Sequence, residues 1–158
     1  MATLLHRVHD NFIWRIEGLT PTSTRSRRKF RSLDRQTPRP GEHFGVTRGF
    51  RVQRLGSGAD VELTDFTCRV ADHRYAVEVY YGDEFGGTAV HEVADQDRHD
   101  IIKDLRYPGS WNGFNSSNTD TDIGIMDRQL LGDSFDFEGG AWILRLEFGV
   151  KAKEAEYA

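Results

Sequence analysis

Residues 141–151, AWILRLEFGVK, put an apolar side chain at every second position: Trp142, Leu144, Leu146, Phe148 and Val150 share one phase, and Arg145, Glu147 and Lys151 take the other. Alternation with period two marks a strand that buries one face and wets the other. Immediately upstream, Arg128 to Phe137 reads as a second extended run, and Glu138, Gly139 and Gly140 supply a short reversing turn. The chain therefore closes its sheet with an antiparallel hairpin.

Working back from that hairpin, Tyr75, Val77, Val79 and Tyr81 form another alternating strand, whereas Phe66, Cys68 and Val70 lie on even positions. The change of parity predicts a tight turn at Ala71-Asp72-His73-Arg74 in preference to one kinked strand. Phe50, Val52 and Leu55 begin an earlier strand, Gly56-Ser57-Gly58 is expected to turn the chain, and a bulge or break separates Val61 and Leu63 from Phe66. Two helices complete the pattern. Leu4, Leu5, Val8, Phe12, Ile16 and Leu19 recur at helical spacing, with Thr3 placed to cap the start and Gly18 and Pro21 to end the run. The second helix begins at Asp95 or Asp97 after the Gly86-Gly87 turn, buries Ile101, Ile102 and Leu105, and stops at Pro108-Gly109. Residues 110–123 are a polar loop. The expected fold is α+β: a single mixed or antiparallel β-sheet with two helices packed on one face and a long basic arm or β-excursion at about 21–49, all within one domain spanning 1–158.

At 158 residues with one cysteine, the chain can bury a core without metal or disulfide staples, and Cys68 reads as a small buried hydrophobe. No apolar run approaches the roughly 20 residues of a membrane span, and the N-terminus lacks a signal peptide's uninterrupted apolar region. The expectation is a protein made in a reducing cytoplasm and kept there, or carried out within a larger particle.

Charge is segregated. Thr22 to Arg54 holds ten basic residues against Asp34 and Glu42, a local charge of +8, which leaves −12 on the rest of a chain whose net charge is −4. Such a split describes an electropositive arm on an acidic body. Arg25, Arg27, Arg28, Lys29 and Arg31 are interrupted by Phe30, with Leu33 close behind, and these two apolar side chains favour docking on a partner over a merely solvated loop.

Chemical motifs are sparse. Gly56-Ser57-Gly58 lacks the third glycine and the Lys-Ser/Thr ending of a phosphate-binding loop. His6 and His9 stand three apart without a third metal ligand, and His91, Glu92 and His99 miss the metalloprotease spacing. Asn118, Asp120, Asp122 and Gly124 resemble the start of a calcium loop, but the glycine falls one place late and Gln129 occupies the position of the bidentate Glu. The reading is of a protein with no catalytic centre, no metal and no cofactor.

The order helix, basic excursion, strands, helix, polar loop and closing hairpin resembles the tail terminator proteins of long-tailed bacteriophages. The likeness is carried by RYAVEVYY at Arg74–Tyr81 leading into the helix Asp97 to Tyr107, then by Gly124 to Asp127, and by Glu138-Gly139-Gly140 running into AWILRLEF at Ala141–Phe148, about the second half of the chain. The family's usual first half is shorter, so the basic Arg25 to Arg35 segment is a departure. The resemblance implies a structural virion protein of the tail or neck, assembled in the host cytoplasm. It implies a homohexameric ring that caps the head-proximal end of the tail tube, ends tube polymerisation and presents a surface to the head-completion or connector protein. Its implied partners are further copies of itself, the tail tube protein and that connector, with genomic DNA passing through the channel without specific binding and no membrane involved. Residues Arg25, Arg27, Arg28, Lys29, Phe30, Arg31 and Leu33 are the candidate partner contacts. The alternatives are another neck or head-completion protein and a nucleic-acid-binding module that uses the 25–35 cluster on phosphates.

Overall fold

A computed structural model of the chain describes residues 5–33, 47–63, 68–82, 85, 88–106 and 124–155. The elements run α1 (Leu5–Glu17), β1 (Arg31–Ser32), β2 (Gly49–Leu63), β3 (Cys68–Tyr81), α2 (Ala89–Arg106), β4 (Ile125–Glu138) and β5 (Ala141–Ala155). The strands form one five-stranded sheet in the order β1-β2-β3-β5-β4. Only β1 runs parallel to its neighbour, β2; the other pairings are antiparallel. The fold is thus α+β with a single mixed sheet.

The closing hairpin has the expected register. Glu138 pairs with Ala141 across Gly139 and Gly140, whose φ values of 60° and 84° give the two-residue turn that matches the twist of its strands. In the centre of the sheet Tyr75, Val77 and Val79 lie directly across from Phe148, Leu146 and Leu144. All six are buried, on the face that both helices cover. From α1, Phe12 packs at 5.1 Å from the Tyr75 ring and 5.9 Å from Phe148, with Val8 and Ile16 beside it in the core. From α2, Val90, Val93, Ile101 and Leu105 fill the other half of that layer. Fully burying one such side chain contributes about 1.5–3 kcal/mol, so this layer dominates the stability of the fold.

Polar contacts fix the helices in place. His9 Nε2 is 2.8 Å from the Val52 carbonyl, Arg15 Nε donates to Asp104 Oδ2 at 3.1 Å, and Arg128 on β4 donates to Asn11 on α1 while lying 5.3 Å above the Phe12 ring. The opposite sheet face bears a charge ladder: Arg145 reaches Glu78 at 3.1 Å and Glu147 at 3.5 Å, and Arg74 reaches Glu147 at 3.6 Å.

Three expectations need correction. No turn occurs at Ala71–Arg74: β3 runs unbroken through it, paired residue by residue with β5. The parity change arises because Val70 and Ala71, on opposite faces, are both buried at that end of the strand. Gly56-Ser57-Gly58 does not turn the chain either. It lies inside β2, where register shifts after Arg54 and Ser57 mark bulges, and Gly56 takes a φ of 144° that suits glycine. Finally, α2 begins at Ala89, six residues before Asp95, with the Thr88 carbonyl accepting from the His91 and Glu92 amides. The residues read as its start lie in its middle. The Cys68 side chain, Thr3, the polar loop up to Ile123 and the Asn118-Asp120-Asp122 motif lie outside what is described.

Candidate partner-binding surface

The segment Thr22–Arg31 is a docked strap. Its first anchor is Thr22, whose amide and hydroxyl both donate to the Asp100 carboxylate on α2 at 2.9 Å. Arg25 then pairs with Glu92 of the same helix at 2.6 Å. At its far end the strap becomes β1: Arg31 N–H donates to the Arg48 carbonyl, and Leu33 N–H donates to Phe50 O at 2.8 Å.

The central anchor is Arg48, which is completely buried. Its Nε and Nη2 donate to the two oxygens of Asp97 at 2.9 Å, a bidentate pair with neither side chain exposed. Its Nη1 donates to the carbonyls of Ser26 and Arg28 at 2.9 and 2.8 Å, tying the strap to α2 through one guanidinium. Tyr81 Oη completes the group by donating to Asp97 Oδ2 at 2.8 Å. Arg48 holds a φ of 63°, a left-handed conformation costly for a residue with a Cβ; its amide donates to Tyr80 O at 2.8 Å, and this bond and the guanidinium contacts hold it there. Burial pushes the Asp97 carboxyl above its ordinary value, against the opposing pull of Arg48 and the Tyr81 hydroxyl. Burial first, and then the charge and hydrogen bond of Asp97, push the Tyr81 phenol well above its usual range.

Two of the expected contact residues are buried within the chain itself. Phe30 and Leu33 are 3% and 6% exposed; Phe30 belongs to the chain's own core, 5.6 Å beneath the Arg48 guanidinium. Apolar residues in a basic run here seat the run on its own domain. The cations Arg25, Arg27, Arg28, Lys29 and Arg31 all remain exposed on the docked strap. Arg48, counted with the arm by its place in the sequence, spends its charge inside; Arg35 and Arg39 lie outside the described residues.

Sequence reasoning missed the anchor but contained a signal for it. On α2 the apolar stripe runs Val90, Val93, Ala94, Ile101 and Leu105, and Asp97 falls in that stripe one turn before Ile101. A carboxylate on a helix's buried face demands a buried partner.

At the other edge of the sheet a second surface stands out. Phe135 stacks on Trp142 with centroids 4.9 Å apart, His91 of α2 meets both rings edge-on at 5.1 and 4.9 Å, and Phe137 lies 5.4 Å from Trp142. Phe137 is 61% exposed, the largest exposure of a bulky apolar side chain among the described residues. Beside it a cleft of about 510 Å³ opens between α2 and β4, bordered by Asp95, Arg98, Asp133 and Ser134. Arg98 and Asp133 pair across it. Among the described residues no three His, Cys, Asp or Glu side chains are grouped to hold a metal ion, and no helix is long and apolar enough to cross a membrane.

Compared with known proteins, the chain matches no family model and no curated protein sequence.

Proposed function

We propose that this chain is a structural subunit of a ring of identical copies, of the kind that tail terminator proteins of long-tailed bacteriophages form at the head-proximal end of the tail tube. In this reading six copies close a ring that ends tube polymerisation, contacts the tail tube protein below and the head-completion protein above, and lets DNA pass without gripping it. Its role is mechanical, and the basic strap serves a protein contact.

The observation that carries the reading is the difference between the two sheet edges. A closed ring of identical subunits needs two different faces that fit each other, repeated around the axis. In this sheet β1 is one edge and β4 the other, four strand spacings or roughly 19 Å apart. The first has the fixed basic strap beside it; the second carries exposed Asp127, Asp133, Asp136 and Glu138. Such polarity suits head-to-tail association. The resemblance in element order supplies the phage setting.

The test is imaging. Virions from a host expressing an epitope-tagged chain, labelled and viewed by electron microscopy, are expected to carry the label as one ring at the head–tail junction. Label along the whole tube, on the head shell or absent from particles would overturn the assignment; label within the neck but away from the tube end would favour a head-completion protein.

A further inference from the structure

We infer that the exposed face of the basic strap of one copy seats on the acidic and aromatic rim of β4, β5 and α2 of a second copy, so that Arg27, Lys29 and Arg31 meet Asp95, Asp136, Glu138 and the rings of Phe137 and Trp142. The inference takes from the ring reading only that the partner is another copy of this chain, and it deepens that reading by naming both sides of the contact.

The strap side is defined by what it has already spent. Its apolar residues are buried at home and Arg25 is paired with Glu92, whereas Arg27, Lys29 and Arg31 are exposed and make no ion pair among the described residues. Because Arg48, Thr22 and β1 hold its backbone, the strap loses little chain entropy when it docks. A rigid row of cations lacking apolar anchors of its own fits a surface that supplies both negative charge and apolar area.

The rim of β4 supplies both. Asp95, Asp136 and Glu138 are exposed and make no ion pair among the described residues, and Phe137 stands out beside them. On β4, Phe135 and Phe137 take one face while Asp136 and Glu138 take the other, so a segment lying along this edge meets aromatic rings and carboxylates together. Arginine over an aromatic ring gains from the ring's quadrupole, an arrangement that this chain already uses internally, with Arg48 over Phe30 and Arg128 over Phe12. Among the described strands β4 pairs only with β5, so it is an edge strand of the described sheet. The strap leads into β1 while the acceptor rim centres on β4, the two edge strands of the described sheet, so one copy can give and receive at once.

The experiment is a charge swap on the full chain. Two variants are made, Arg27→Glu/Lys29→Glu in the strap and Asp136→Lys/Glu138→Lys on the rim, and their melting is compared with the parent to confirm folding. Sedimentation up to millimolar protein is expected to show salt-sensitive association of the parent and at least a tenfold weakening in either variant alone. It is also expected to show recovery when the two are mixed in equal amounts, because the acidic strap of one then meets the basic rim of the other. A parent that stays monomeric, a rim variant that associates like the parent, or a mixture that does not recover would overturn the inference. So would a parent whose strap binds duplex DNA with a steep salt dependence that the strap variant removes while association is untouched. The mixing result depends on no phage particle, so the contact can stand if imaging places the chain elsewhere, and can fall if imaging places it at the tail end.

Discussion

Arg48 is the residue on which the largest share of the architecture turns. A buried guanidinium is tolerable only when its donors are matched, and here the carboxylate of Asp97 and two strap carbonyls do so. Tyr81 is the member of this group that can be altered most cleanly, since phenylalanine keeps the ring and removes only the donor to Asp97. Tyr81→Phe is expected to cost about 1.5–3 kcal/mol at neutral pH, the range for a hydrogen bond to a charged group. A pH signature accompanies the loss. The folded chain holds the Tyr81 phenol well above the ordinary tyrosine value, so the folded state keeps a proton that the unfolded state releases. That contribution is fully present below the unfolded pKa and is lost as pH rises through the alkaline range above it. Urea unfolding near neutrality and again above about pH 10 should therefore show a shallower alkaline decline for Tyr81→Phe than for the parent. An equal decline would mean that burial does not hold the proton there.

At the scale of elements, the glycines of the closing hairpin separate two roles that a sequence writes identically. Gly140 has a φ of 84° in the turn, and Gly149 sits in the interior of β5 with no such requirement. A Cβ at Gly149 would rest 3.4 Å from a terminal methyl of Leu131, the flexible end of an exposed side chain. Gly149→Ala is therefore expected to raise stability by about 0.5–1 kcal/mol, since a strand-interior glycine loses more entropy on folding than alanine. Gly140→Ala is expected to lower it by about 1–2 kcal/mol through the left-handed conformation. Thermal melts of the two variants should shift in opposite directions. The second helix makes a related point: its first two turns are apolar enough to pack, yet the acids Asp95 and Asp97 look like a start signal because capping and burial select the same residue types for different reasons.

For the whole molecule, the feature of most consequence is that the positive charge of the strap stays exposed while its apolar residues are consumed by its own core. The strap can then be reversed in charge without threatening the fold. Arg27→Glu/Lys29→Glu is expected to melt within about 0.5 kcal/mol of the parent, as surface substitutions do. Under the proposed function, phage carrying this variant should yield particles with overlong or headless tails, counted by negative-stain microscopy, because termination and joining both require the ring. Normal tails on such particles would take the strap out of the ring contact.

Much of the fold was legible because it rests on short-range pattern. Period-two alternation in residues 141–151 and at Tyr75–Tyr81 fixes which side chains face the core, and the spacing of Val8, Phe12 and Ile16 fixes a helix whatever surrounds it. That gave the α+β class, the closing hairpin and the covered face. Tertiary structure alone decided the continuity of β2 and β3, because a bulge and a turn use the same glycines, and because burial on both faces erases alternation. It also decided the fate of the basic run. By sequence Arg48 is one cation among ten and Asp97 a helix start; 49 positions separate them, and only the packing of α2 against the sheet brings them to 2.9 Å. Which charges are spent inside and which remain for a partner depends on long-range burial, and no local pattern along the chain encodes it.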